Sequence, residues 1–238
     1  MLKFKIGTSG YSYFWNEGKP TPLEWYIRQG FNTVEINATF YRFPMRTWIR
    51  AWSKTPEYFD FSIKVHRSIT HYAMLSEKAF SLWMKFRERF RAIEDKITFW
   101  LFQLPPYFKY NRRNEIIVRR FFDELNLGCK AVVEFRDPRW WAHRDAITDI
   151  GIVFCSVDAP GLPRDIVVCS DTVYLRIHGK TTWYSYLYSR DELDEIFGRI
   201  IRSNAKVVYV YLNNDHGMLP NGRYLMELAG ISRGNPSI

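Results

Sequence analysis

With 238 residues, 47% of them hydrophobic and 18% aromatic, the chain is long and apolar enough for one globular domain covering 1–238, and too rich in core residues to be disordered or of low complexity. Lysine and arginine outnumber aspartate and glutamate by 34 to 25, and the formal net charge of +9 favours anionic ligands, from phosphorylated metabolites to nucleic acid. Apolar runs such as Ile97–Phe102 are far shorter than a membrane span, so no membrane partner is expected.

A first strand is predicted from Phe4 (FKIGTS), then a helix in TPLEWYIRQG that opens on a proline and closes on Gly30. The second strand, TVEINA from Thr33, poses a question. Val34 and Ile36 alternate with Glu35 and Asn37, so a strand buried on both faces would carry a carboxylate and an amide inward. DFSIKVH from Asp60 and ITFWLFQL from Ile97 supply the third and fourth strands. Between them SEKAFSLWMKFRERFRAIEDK predicts the longest helix, with Phe80, Trp83, Met84, Phe86 and Phe90 at helical spacing. Its charges, and those of Tyr110–Arg120, read as solvated helical faces. AVVEFRD from Ala131, IVFCSVD from Ile152, TVYLRIHG from Thr172 and KVVYVYLNN from Lys206 complete the strands. SRDELDEIFGRIIRS, before the last of them, is a helix capped by Ser189 with acids at its positive end.

Eight strand candidates alternating with helices predict a single (β/α)8 TIM barrel. The thin places are one or two crossovers around residues 137–171, where APGLPRDIVVCS has two prolines and no helical pattern. An open doubly wound sheet is the alternative. Cys129, Cys155 and Cys169 lack CxxC spacing, and the start MLKFKIGTSGYSY has no apolar signal region; together they predict reduced thiols in a cytoplasmic protein.

Strands of a parallel barrel have no watery face, and polar residues near their C-terminal ends line the mouth, where barrel enzymes work. Here they recur late in nearly every run: Thr8 and Ser9, Glu35 and Asn37, Lys64 and His66, Gln103, Glu134 and Arg136, Asp158, Arg176 and His178, then Asn213, Asn214 and Asp215. Residues two apart on a strand share a face, so three of these pairs point together. The alternative reading is an ion-pair network that closes the top of the fold and needs the same charges.

Seven blocks in order, IGTSGYSY..W, VEINATFYR.P, FSIKVHR.ITH, QLPPYF, AVVEFRDPRWW, YLRIHG and YLNND, from Ile6 to about Asp215, resemble the DUF72 (YecE-like) family. The resemblance implies a TIM barrel with these blocks around its mouth. The family has no assigned reaction, so the resemblance implies no chemistry. One departure is Leu212, where an aromatic is expected before the asparagine pair.

Three chemistries compete for these residues. In acid/base work, Glu35, Lys64, Glu134 and Asp158 are the catalytic candidates, with Lys64 also open to Schiff-base chemistry or plain pairing. A single divalent metal would draw on Glu35, Glu134, Asp158 and His178, although Lys64, Arg136 and Arg176 crowd a cation. Anion binding suits Arg136, Arg176, His178 and Lys180, with Asn37, Tyr41, Gln103, Asn213 and Asn214 as further substrate contacts. No Walker or GxGxxG loop calls for a nucleotide cofactor. Loop aromatics, Tyr11, Tyr13, Phe14, Trp15, Tyr41, Trp140, Trp141, Trp183, Tyr184 and Tyr186, are expected to wall a pocket, and Trp48, Trp52 and Trp83 to join the core. The expectation is an enzyme (hydrolase, isomerase or lyase) acting on an anionic, phosphorylated or sugar-like small molecule. The alternatives are a nucleic-acid-binding or nuclease-like barrel and a non-catalytic metabolite binder.

Overall fold

A computed structural model describes residues 2–231 as an α/β fold with parallel sheets. In chain order the elements are β1 (Lys3–Thr8), α1 (Pro22–Arg28), β2 (Thr33–Ile36), α2 (Ala38–Tyr41), α3 (Arg46–Ser53) and β3 (Asp60–Lys64). Then come α4 (Glu77–Glu88), β4 (Ile97–Gln103), α5 (Arg112–Leu125), β5 (Ala131–Glu134), α6 (Asp145–Thr148), β6 (Val153–Phe154) and β7 (Ser156–Asp158). The last are β8 (Thr172–Ile177), α7 (Arg190–Arg202), β9 (Val207–Leu212) and α8 (Met218–Leu228). Among the described residues no helix is long and apolar enough to cross a membrane.

The chain divides into two compact units, one of residues 1–35 with 156–238 and one of residues 36–155. In the first, the parallel order is β1-β9-β8-β7, with Lys3 opposite Val207 and Ile177 opposite Leu212. The buried Tyr26 of α1 ties β1 to β2: its hydroxyl accepts from Thr8 N–H at 2.8 Å and donates to Thr33 O at 3.0 Å. Burial pushes that phenol well above its ordinary pKa. Helix α7 begins at the expected Ser189, which forms a full capping box with Glu192, and it buries Leu193, Ile196 and Ile200.

In the second unit β3, β4, β5 and β6 pair in parallel. Its core is aromatic: Trp83 meets Trp100 edge-on at 5.0 Å, Phe90 meets Trp100 at 5.1 Å, and all are buried. Replacing one such ring by alanine costs about 3–5 kcal/mol. Trp52 and Trp83 are in this core as expected, whereas Trp48 is half-exposed beneath the Arg42 guanidinium.

Two details differ from the expected elements, and the thin crossovers within 137–171 are as expected. The long helix stops at Glu88 and continues as a 3₁₀ turn over Arg91–Lys96. Phe90 precedes that turn and Ile93 kinks it, at a non-helical φ of −137°, and both are buried. The sixth strand run is two strands, because Val153–Phe154 pairs with β5 while Ser156–Asp158 pairs with β8. Among the described residues this makes nine strands. The connections within 137–171 are thin: a 3₁₀ turn over Pro138–His143 and the four-residue α6 precede β6, and no helix lies between β7 and β8.

Candidate functional site

The question raised by Glu35 has a direct answer in the first unit, where all four residues of β2 are buried. The Glu35 carboxylate accepts three hydrogen bonds: from Ser9 Oγ at 2.8 Å, Tyr174 Oη at 2.7 Å and Arg176 Nη2 at 2.6 Å. Glu35 and Arg176 are both wholly buried, which is tolerable for ions only in a tightly matched pair. Alternation along β8 turns Tyr174, Arg176 and then His178 to one face. Arg176 Nη1 lies 3.4 Å from His178 Nε2, and the amide nitrogen of Asn213 lies 3.2 Å from His178 Nδ1. Glu35, Arg176, His178 and Asn213 therefore form one buried chain.

Asp158 belongs to a second chain in the same unit. Tyr188 donates its hydroxyl to Asp158 Oδ1 at 2.7 Å and accepts from Gly179 N–H at 2.9 Å, while Arg199 reaches Oδ2 at 3.0 Å and Arg164 at 3.6 Å. Burial, reinforced by the Asp158 charge, drives the Tyr188 phenol far above its ordinary pKa. Gly179 is the hinge of this chain. Its φ of +130° suits glycine, and a Cβ would stand 2.1 Å from Thr182 O. Lys180 faces Glu192 at 3.4 Å and Glu195 at 3.6 Å, and Asn214 donates to Tyr186 O at 2.7 Å and Asn221 Oδ1 at 2.9 Å.

The second unit holds the other candidates. Glu134 at the end of β5 is buried and paired to Arg136 at 2.5 Å, with Cys155 Sγ 3.9 Å from its other oxygen. The Gln103 amide donates to Leu104 O at 2.7 Å. Asn37 precedes α2, whose Thr39 hydroxyl bonds Lys64 O at 2.7 Å, and Lys64 Nζ lies 4.5 Å from the centroid of Phe40. The Phe40 ring in turn meets His71 edge-on at 4.9 Å and Tyr41 at 5.1 Å. Burial, followed by the charges of Lys64, Arg136 and Arg67, lowers the His71 pKa to about 4, and those three cations mark a positive corner of the unit beside the Glu134 carboxylate. Arg67 stands 5.8 Å from the Tyr41 ring centroid and 5.7 Å from that of Tyr72.

Arg67, His71, Tyr174, Tyr188 and Arg199 escaped the sequence reading. Two of them left a signal: Tyr174 shares a strand face with Arg176, and His71 is in the block FSIKVHRSITH. Tyr188 and Arg199 reach Asp158 from 30 and 41 residues away, a distance no local pattern spans. The expectation that Trp140 and Trp141 wall a pocket is corrected, because both are buried. Trp140 stacks on Phe135 at 3.9 Å and donates Nε1–H to Phe108 O. Tyr41, Phe14 and Tyr184 are exposed.

Among the described residues no three carboxylate, thiol or imidazole groups come together as a metal site would require. Glu35 and Asp158 have their oxygens taken up by arginine and tyrosine. A cleft of about 450 Å³ lined by Arg164, Arg199 and Arg202 adjoins the Asp158 chain. Away from the candidate residues, one of about 350 Å³ is lined by Arg119, Phe122 and Ile152, and one of about 210 Å³ by Leu75, Glu77 and Phe121.

A comparison with curated proteins gives no match. Among solved structures, a DUF72 family protein from Thermotoga maritima MSB8 is 27% identical, with a TM-score of 0.82 over 96% of this chain and 99% of that one. A DUF72 family protein from Enterococcus faecalis V583, 21% identical, also reaches a TM-score of 0.82, over 100% of this chain and 99% of that one, and shows the same fold. The family model described as "Protein of unknown function DUF72" matches residues 5–236. The chain therefore belongs to the DUF72 family.

Proposed function

We propose that this protein is an enzyme that binds an anionic, phosphorylated or sugar-like small molecule at the C-terminal ends of its strands and transforms it by acid/base chemistry, and that its parallel strands belong to one (β/α)8 barrel. The observation that carries the reading is the grouping of Lys64, Arg136 and Arg67 around His71. Burial, the larger effect, and then those three charges hold the imidazole neutral down to a pH of about 4. Cations grouped beside strand ends support anion binding, since arginine and lysine donate to phosphate oxygens. Lys64 and Glu134 carry the proton-transfer part of the proposal. Glu134 is wholly buried beside Arg136, a setting in which a carboxylate and its partner hold fixed positions. Glu35 and Asp158, each held by a tyrosine and an arginine, give the first unit its own rigid strand ends.

The test is calorimetric titration of the full chain with ribose 5-phosphate, inorganic phosphate and uncharged ribose, beside the variants Lys64→Met and Glu134→Gln. The phosphorylated sugar is expected to bind and ribose not to bind. Lys64→Met should lose at least tenfold in affinity, about 1.4 kcal/mol. Glu134→Gln should keep binding within threefold and abolish turnover wherever a turned-over phosphorylated compound is found. Equal binding of ribose and ribose 5-phosphate, or no binding of either anion, refutes the proposal.

A further inference from the structure

The positive corner of the second unit is flanked by tyrosines that the fold does not need. Tyr41, Tyr72 and Tyr107 are 64%, 67% and 59% exposed, whereas the aromatic rings of this unit's core are all but fully covered. Exposed rings of that size do little for stability, and grouped together they mark a contact surface. These three are grouped by chemistry as well as position. The Arg67 guanidinium lies 5.8 Å and 5.7 Å from the ring centroids of Tyr41 and Tyr72, and Tyr107 donates its hydroxyl to His71 O at 3.2 Å. The segment that carries His71 and Tyr72 is a π-turn, Ser68–Tyr72, a rare geometry that recurs at functional positions. Met74 and Leu75 follow it in the left-handed region, at φ 46° and 58°. Two consecutive non-glycine residues there are costly to hold and concentrate at ligand sites.

We infer that this face selects an anion bearing a flat heteroaromatic ring, such as a nucleoside monophosphate, stacking the ring on Tyr72 and Tyr41 while Arg67 takes the phosphate. The inference rests on the anion-binding reading above and narrows its substrate class. Stacking supplies affinity with little dependence on which base is present, because every base has a π-face. Arginine serves both halves, since its plane lies on rings and its fork meets phosphate oxygens.

The experiment compares adenosine monophosphate, ribose 5-phosphate and adenosine on the full chain, with an eight-nucleotide single strand as a fourth ligand. Adenosine monophosphate should bind at least tenfold more tightly than ribose 5-phosphate and than adenosine. Tyr72→Ala should remove that advantage and leave ribose 5-phosphate affinity unchanged, and Tyr72→Phe should restore it. Tyr72 is on the surface, so an unchanged melting curve for the variant separates lost stacking from lost fold. Equal binding of adenosine monophosphate and ribose 5-phosphate overturns the ring preference and leaves the anion reading standing. Failure of every phosphate to bind overturns both. A single strand that binds a hundredfold more tightly than the mononucleotide assigns the face to nucleic acid and overturns the small-molecule inference.

Discussion

Removing the guanidinium of Arg176 should expose how much of the first unit depends on its buried pair. Arg176 and Glu35 are both wholly inaccessible, with 2.6 Å between their charged atoms. In Arg176→Met the Glu35 carboxylate keeps Ser9 and Tyr174 as donors, both neutral, and loses its counter-charge. Orphaning a buried charge in this way costs about 3–5 kcal/mol. That is a large share of the ~5–15 kcal/mol by which a native chain is stable. For a chain of this length each kcal/mol lowers Tm by about 2–4 °C, so the melt should fall by roughly 6–20 °C. Adding Glu35→Gln removes the stranded charge and should recover at least half of the loss, because the amide oxygen accepts from one of the two hydroxyls and the amide NH2 donates to the other, which can turn to accept. Urea unfolding followed by tryptophan fluorescence gives the four corners of the cycle. A single Arg176→Met variant within about 1 kcal/mol of the parent, or a double variant no more stable than the single, refutes the argument.

The Gly179 hinge and the His71 imidazole give two further expectations. Gly179→Ala forces a Cβ to 2.1 Å from Thr182 O at a φ of +130°, so the loop must shift and the Gly179–Tyr188–Asp158 chain must break; the expected loss is about 2 kcal/mol or more. Gly18→Ala is the control: its φ is +76° with no atom within 4 Å of the added Cβ, so only the intrinsic backbone strain of about 1 kcal/mol should appear in a thermal melt. For His71, the folded pKa of about 4 lies below the ordinary 6.5 of an unfolded chain. The unfolded state then binds the extra proton between those values, so stability from this group is complete above pH 6.5 and is lost as pH falls towards 4. His71→Asn should flatten the slope of unfolding free energy over that window, and an imidazole that titrates near 6.5 by NMR would contradict the burial and the neighbouring charges given for His71.

Most strand runs could be read directly, since a parallel sheet covered on both sides asks for Val, Ile, Phe and Tyr in short bursts, as in KVVYVYLNN and TVYLRIHG. The paired polar residues were legible for the same reason: a carboxylate in VEI or VVE has no watery face to turn to, and Glu35 and Glu134 are both wholly buried. What could not be read was each residue's partner. Arg176 could have met any of several carboxylates, and only the fold joins it to Glu35 across 141 residues. Asp158 reads as a free strand-end acid until Tyr188 and Arg199 are seen on it. The positive corner was half legible, through Lys64 and Arg136. Its neighbours Arg67, His71 and Tyr72 stand on a π-turn, for which the sequence has no periodicity to offer.

The first unit is assembled from the two ends of the chain. Lys3 pairs with Val207, so strand β1 cannot complete its ladder until about 200 further residues have been made. Closing a loop of that length costs on the order of 4–5 kcal/mol in chain entropy before a single hydrogen bond repays it. The second unit, residues 36–155, is continuous and has no such wait. On a ribosome adding about 5–20 residues per second, it can collapse while β1 and α1 remain idle, and roughly 3–11 seconds separate its completion from that of β9. During that interval the emerging chain displays an unpaired β1, with Ile6 and Phe4 exposed, and that is the period in which a chaperone or a misfolding event would find it.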